Sequence, residues 1–199
     1  MIDPEDAARA NFYGLIARLF YAPPDPQLIT QLLQAGPMEL EAERNAEGEG
    51  LAAAWSEMLA TCRDAVPAAL ESEHTELFVG PGKAAVTPYL SHYVLRHSND
   101  NPLVELRAQL AAWGIARRED VPEYEDHVSG VCETMRFVIA VQQRSTEDQQ
   151  TFFDRFLYRG TAAFCDALTA SRQARFYRGV AGFARAFLEV EKSAFEMVG

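Results

Sequence analysis

Apolar residues recur along this chain every three or four positions, the spacing that gathers them on one face of an α-helix. The first such run is Ala8, Phe12, Leu15, Ile16, Leu19 and Phe20. Asp3-Pro4 precedes it, and a capping side chain followed by proline at the first helical position starts a helix well. Tyr21-Ala22-Pro23-Pro24 stops that helix, and Asp25-Pro26 repeats the start signal for a short one near Gln27 to Gln34. Residues 36–50, GPMELEAERNAEGEG, are acidic and rich in glycine and read as mostly loop.

Further helices are predicted over Leu51 to about Arg63 and over about Val66 to Phe78. Asn101-Pro102 opens another, with the stripe Leu103, Leu106, Leu110 and Trp113 and an end at Gly114. Pro122 opens a longer one carrying Val128, Val131, Cys132, Met135 and Ile139. Ser145-Thr146-Glu147-Asp148 has the form of a cap with an acidic first turn. The helix behind it carries Phe153, Phe156, Leu157, Phe164 and Leu168, and the last carries Tyr177, Val180, Phe183, Phe187 and Leu188. No alternating strand, internal repeat or low-complexity tract interrupts the pattern. Amphipathic helices joined by short connections bury their stripes against one another, so the expected fold is an all-α, single-domain helical bundle over residues 1–199. The connection at 115–124 is a place where a hinge can form and exchange helices between chains; a monomer is the simpler expectation.

Charge narrows the partners. Eighteen Lys and Arg stand against 29 Asp and Glu, a formal net charge of −11. Such a field repels phosphate backbones and anionic lipid heads and attracts basic peptides, so nucleic acid is an unexpected ligand. Cys62, Cys132 and Cys165 are far apart, odd in number and without a CxxC pair, which suggests neither a disulfide scaffold nor a zinc ribbon. They read as buried apolar residues of a reducing compartment. MIDPEDAARANFYG lacks the basic and apolar regions of a signal peptide, and no apolar run approaches the ~20 residues of a membrane span. The expected location is the cytoplasm, with no membrane insertion.

Two segments carry candidate chemistry. In the first, Glu73-His74-Thr75-Glu76-Leu77-Phe78-Val79-Gly80-Pro81-Gly82 is followed by Pro88-Tyr89-Leu90-Ser91-His92-Tyr93. A helix ends in Gly-Pro and enters a stiff loop, with glycines that let another backbone approach. Such a surface can hold a peptide; equally, it can be a helix end and a packed connector. In the second, five acids and no base lie between Glu119 and Asp126, directly before His127. On a helix Glu123 and His127 are neighbours at i and i+4, while Asp126 points roughly 100° away from the apolar stripe. An acidic helix start beside an apolar edge suits an arginine with apolar neighbours; the plainer alternative is acids complementing the macrodipole and a histidine at the core edge.

LFVGP, PYLSHY and EYEDHV, in that order, resemble the TorD/DmsD/NarJ family of redox-enzyme maturation chaperones. That family shows an E-x-x-x-L-F-x-G-P segment, here Glu73, Leu77, Phe78, Gly80 and Pro81. Its P-x-x-S-x-Y segment corresponds to Pro88, Ser91 and Tyr93, and its Asp-His pair at a helix start to Asp126-His127. GLIARLFYAPPDP at the amino-terminal end is similar as well, so the resemblance covers nearly the whole chain. Two features depart from it. The F-x-x-H-L-x-x-W pattern of the penultimate helix is replaced by a stretch with Phe156 and Gly160 at the His and Trp positions, and Tyr89 stands where some members carry Trp. The subfamily and the client are therefore not legible.

The resemblance implies a bundle of the TorD/DmsD type that binds the twin-arginine leader, or the apo catalytic subunit, of a molybdenum-cofactor (molybdopterin) oxidoreductase. It also implies that the chain assists cofactor insertion and prevents premature export. Its implied peptide-binding residues are Glu73, Leu77, Phe78, Gly80, Pro81, Pro88, Tyr89, Ser91, Tyr93, Glu123, Asp126 and His127. Guanidinium groups fit carboxylates, often bidentately, which suits Asp126 with Glu123 or Glu125; Leu77, Phe78, Tyr89 and Tyr93 suit the apolar part of a leader. No catalytic residue, metal ligand or cofactor site is expected, since no HExxH, nucleophile elbow or phosphate-binding glycine loop is present. The alternative is a non-catalytic scaffold or assembly subunit that stays with its partner.

Overall fold

The structure is a computed structural model that describes residues 2–38, 46–80, 84–94 and 101–198. Its helices are α1 (Pro4–Tyr21), α2 (Pro26–Ala35), α3 (Ala46–Arg63), α4 (Pro67–His74), α5 (Ser91–Val94), α6 (Pro102–Ala112), α7 (Val128–Ala140), α8 (Thr146–Phe152), α9 (Tyr158–Ala170) and α10 (Phe176–Val198). Single π-helical turns follow α4 at Thr75–Val79 and α8 at Phe153–Leu157. No strand occurs among the described residues, so the expected all-α class holds. The described residues also include no helix long and apolar enough to cross a membrane, and no group of three or more His, Cys, Asp or Glu placed to hold a metal ion.

The local start signals act as expected. Asp3 accepts from Glu5 N–H at 2.9 Å, Asp25 from Leu28 N–H at 2.8 Å and Ser145 from Asp148 N–H at 3.2 Å. Two boundaries differ from the expectation. The acidic stretch thought to be mostly loop is helical from Ala46 onward, because α3 extends its buried stripe of Leu51, Trp55, Met58 and Leu59 backward. The helix expected to open at Pro122 begins instead at Val128.

The chain forms two compact units. The first comprises Met1–Phe20 and Pro88–Phe164, the second Tyr21–Thr87 and Cys165–Gly199. In the first, Tyr13, Ile16, Leu19 and Phe20 of α1, Val131, Met135 and Val138 of α7, and Phe152, Phe153 and Leu157 are buried. Phe20 meets Phe164 edge-on at 5.0 Å. In the second, α10 packs along α3, with Trp55 against Phe183 at 5.2 Å and the Trp55 indole donating to the Gly36 carbonyl at 2.7 Å.

Candidate functional site

The sequence-predicted residues divide between the units. Glu73, Leu77, Phe78 and Gly80 belong to the second, Pro88, Tyr89, Ser91, Tyr93, Glu123, Asp126 and His127 to the first, and Pro81 lies outside the described residues.

In the second unit the motif is tied inward. The Glu73 carboxylate accepts from the backbone N–H groups of Arg175, Phe176 and Tyr177 at 2.8, 3.2 and 3.0 Å. It therefore caps α10 with a negative charge at the positive end of the helix dipole. Leu77 is fully buried and Phe78 nearly so, with Phe78 edge-on to Tyr177 at 5.0 Å and to His74 at 5.1 Å. Gly80 ends the π-helical turn at φ 52°, a conformation that favours glycine, and its N–H bonds the Thr75 carbonyl at 2.7 Å.

In the first unit the PYLSHY and EYEDHV segments zip together. Leu90 N–H donates to the Asp126 carbonyl and Val128 N–H to the Pro88 carbonyl, both at 2.9 Å, around an antiparallel bridge of Tyr89 with His127. After a turn through Glu125 and Asp126, this pairing holds His127 extended, so α7 starts only at Val128. Glu123 and His127 are consequently not successive-turn neighbours on a helix. His127 is instead the N-cap of α7, its Nδ1 accepting from Ser129 N–H at 3.2 Å, with its ring edge-on to Tyr89 at 5.5 Å.

Side chains reinforce the zipper. The Ser91 hydroxyl donates to the Asp126 carboxylate, and the Tyr89 hydroxyl donates to Glu123. Burial, aided by the bond to Glu123 and the charges of Glu123 and Asp126, pushes the Tyr89 phenol well above its ordinary range, so it remains a donor at neutral pH. Glu125 is held by Arg107 at 2.9 Å and lies 3.8 Å from Arg117. Partial burial pushes its carboxyl up, but the bonds and charges of these partners outweigh that and leave it below the ordinary range.

Beside the zipper lies a shallow cleft open to solvent. Leu90, Val94, Pro102, Leu106, Val131 and Phe156 make its apolar walls; Ser91, Asp126 and Arg155 are its polar members. Asp126 is only 5% exposed, so a group reaching it must enter the cleft. Tyr93, half-buried, lies 6.3 Å from Phe164 and takes no place in the lining. Arg155 spans from Phe156, 5.3 Å from the ring centre, to Glu105 at 2.9 Å.

Sequence reasoning did not single out Leu106, Phe156 or Gly160 as site residues. The π-helical turn contributes Phe156 to the cleft, and a Cβ on Gly160 would stand 2.8 Å from the Leu90 Cβ, so the glycine admits Leu90 against α9. The departure of Phe156 and Gly160 from the family pattern was the available signal.

The all-helical fold and the family match place the chain in one class of protein, the NarJ/TorD-type chaperones. Residues 44–170 match the family described as nitrate reductase delta subunit, and the chain belongs to that family. The fold is similar to a crystal structure of a candidate redox enzyme maturation protein from Archaeoglobus fulgidus, with a TM-score of 0.54 and 18% identity over 92% of this chain and 93% of that one. No curated protein matches the chain.

Proposed function

We propose that this chain is a cytoplasmic, non-catalytic maturation chaperone that binds the twin-arginine leader of a molybdenum-cofactor oxidoreductase subunit and holds that subunit back until its cofactor is in place. The observation that carries the reading is the cleft of the first unit. Its apolar walls close on a nearly buried Asp126 carboxylate positioned by Ser91. A leader joins guanidinium groups to an apolar stretch, and the cleft presents the complement of both. The net charge of −11 favours the encounter with a basic peptide and disfavours nucleic acid. In this reading Asp126 receives a leader arginine and Leu90, Leu106 and Phe156 receive apolar side chains. Glu73, Leu77 and Phe78 serve the framework of the second unit.

The test is calorimetric titration with a twin-arginine leader peptide, a version with both arginines changed to lysine, and the Asp126→Asn protein. One-to-one binding that weakens with the lysine peptide and with the variant supports the site. Unchanged affinity in Asp126→Asn removes it. The description of the family as a subunit favours a second reading, a scaffold that stays with its partner. Release of the mature client after cofactor insertion supports the chaperone, whereas a complex that persists supports the scaffold.

A further inference from the structure

The acidic turn of the first unit already holds a guanidinium of its own. Arg107, on α6 next to the cleft residue Leu106, directs Nε and an Nη onto one oxygen of Glu125, each at 2.9 Å. Its guanidinium carbon also lies 5.9 Å from the centre of the Tyr124 ring. The Glu125 side chain is mostly covered, at 16% exposure, while that of Arg107 is 46% exposed. The bond to Glu125, with the charge of that carboxylate, favours the charged Arg107. A carboxylate and an aromatic ring are therefore gathered around an arginine that the protein itself supplies.

We propose that Arg107 is a built-in competitor, occupying Glu125 and Tyr124 in the free protein until an arginine of a bound peptide displaces it. The inference deepens the leader-binding reading and rests on it. An ion pair whose arginine is half-exposed is weak enough to exchange, and the incoming guanidinium can reproduce both hydrogen bonds and the ring contact. An ammonium offers one compact charge and cannot match the fork, so the exchange itself selects arginine over lysine. Arg117 lies near the other Glu125 oxygen and donates to the Val121 carbonyl, so the turn stays anchored when Arg107 leaves.

The experiment titrates the wild-type, Arg107→Gln and Arg107→Lys proteins with three leaders carrying Arg-Arg, Lys-Lys or Gln-Gln, each protein first matched to wild type by circular dichroism. Arg107→Gln is expected to bind the Arg-Arg leader about threefold to fivefold tighter, the scale of an exposed ion pair. Arg107→Lys should fall between, and the Gln-Gln leader should bind wild type and variants alike. Unchanged binding of the Arg-Arg leader by Arg107→Gln overturns the proposal, and so does weaker binding, which makes Arg107 a positioning residue. A gain shared by the Gln-Gln leader overturns it too, because general loosening then explains the effect. If the wild type binds and the variant gains nothing, only this inference fails; if no form binds any leader, the leader reading fails with it.

Discussion

In the second unit the segment from Glu73 to Gly80 directs its groups inward: a carboxylate caps α10, Leu77 and Phe78 fill the interior, and Gly80 turns the chain. In the first unit the segments from Pro88 to Tyr93 and Glu123 to His127 use backbone to hold each other. They leave a carboxylate, a hydroxyl and apolar walls around an open cleft. Both read alike in sequence, as aromatic, acidic and glycine or proline residues near a helix end. Their difference teaches that such a motif can be consumed by architecture in one place and left lining an open cleft in another. What separates them is whether the polar atoms are consumed by helix ends or face a cavity.

The sharpest way to break that contrast is to damage each side and read both stability and binding. Leu77→Ala removes a fully buried side chain, and a cost of about 2–5 kcal/mol in urea unfolding is expected, with little change in leader affinity of the folded protein. A large affinity loss with little loss of stability would place Leu77 on the recognition side. Asp126→Asn should show the reverse, losing about 1.5–3 kcal/mol of leader binding by calorimetry, the range for a hydrogen bond to a charged group. Glu73→Ala deprives α10 of its cap and should lower stability by about 0.5–2 kcal/mol, read from the same unfolding curves, with leader affinity held.

The smallest effect concerns Tyr89. Its folded phenol loses its proton at higher pH than an unfolded tyrosine, ordinarily near 10. The stabilisation from the neutral phenol is complete below about pH 10 and is lost as pH rises beyond it. Tyr89→Phe should cost about 0.5–1.5 kcal/mol at pH 7. It should also show a shallower loss of stability through the alkaline range than wild type; equal slopes in both proteins would separate Tyr89 from Glu123.

Much of the fold was legible because its signals are local. Asp25-Pro26, Ser145 and Gly80 mark helix ends through bonds to residues a few positions away, so the chain alone determines them. The order of the LFVGP, PYLSHY and EYEDHV segments was enough to point to the family to which the chain belongs. The misread boundaries have non-local causes. Glycines at 48 and 50 argue against helix by about 1 kcal/mol each, yet α3 runs through them because its stripe is buried further on. Pro122 looks like a helix start, but extended pairing with Pro88 to Leu90, more than thirty residues away, delays the helix to Val128.

The same distance in sequence separates what the chain alone determined about the site from what only tertiary structure decided. The acids, aromatics and His127 were visible as candidates, and charge made a basic partner the expected one. Which acid caps a helix, which is held by an arginine and which lines a cleft depended on partners 35, 18 and 102 residues away: Ser91 for Asp126, Arg107 for Glu125 and Arg175 for Glu73. A carboxylate's role is set by the donors that reach it. Local sequence specifies the helices that carry those donors, and only the packing of the helices brings them to a particular oxygen.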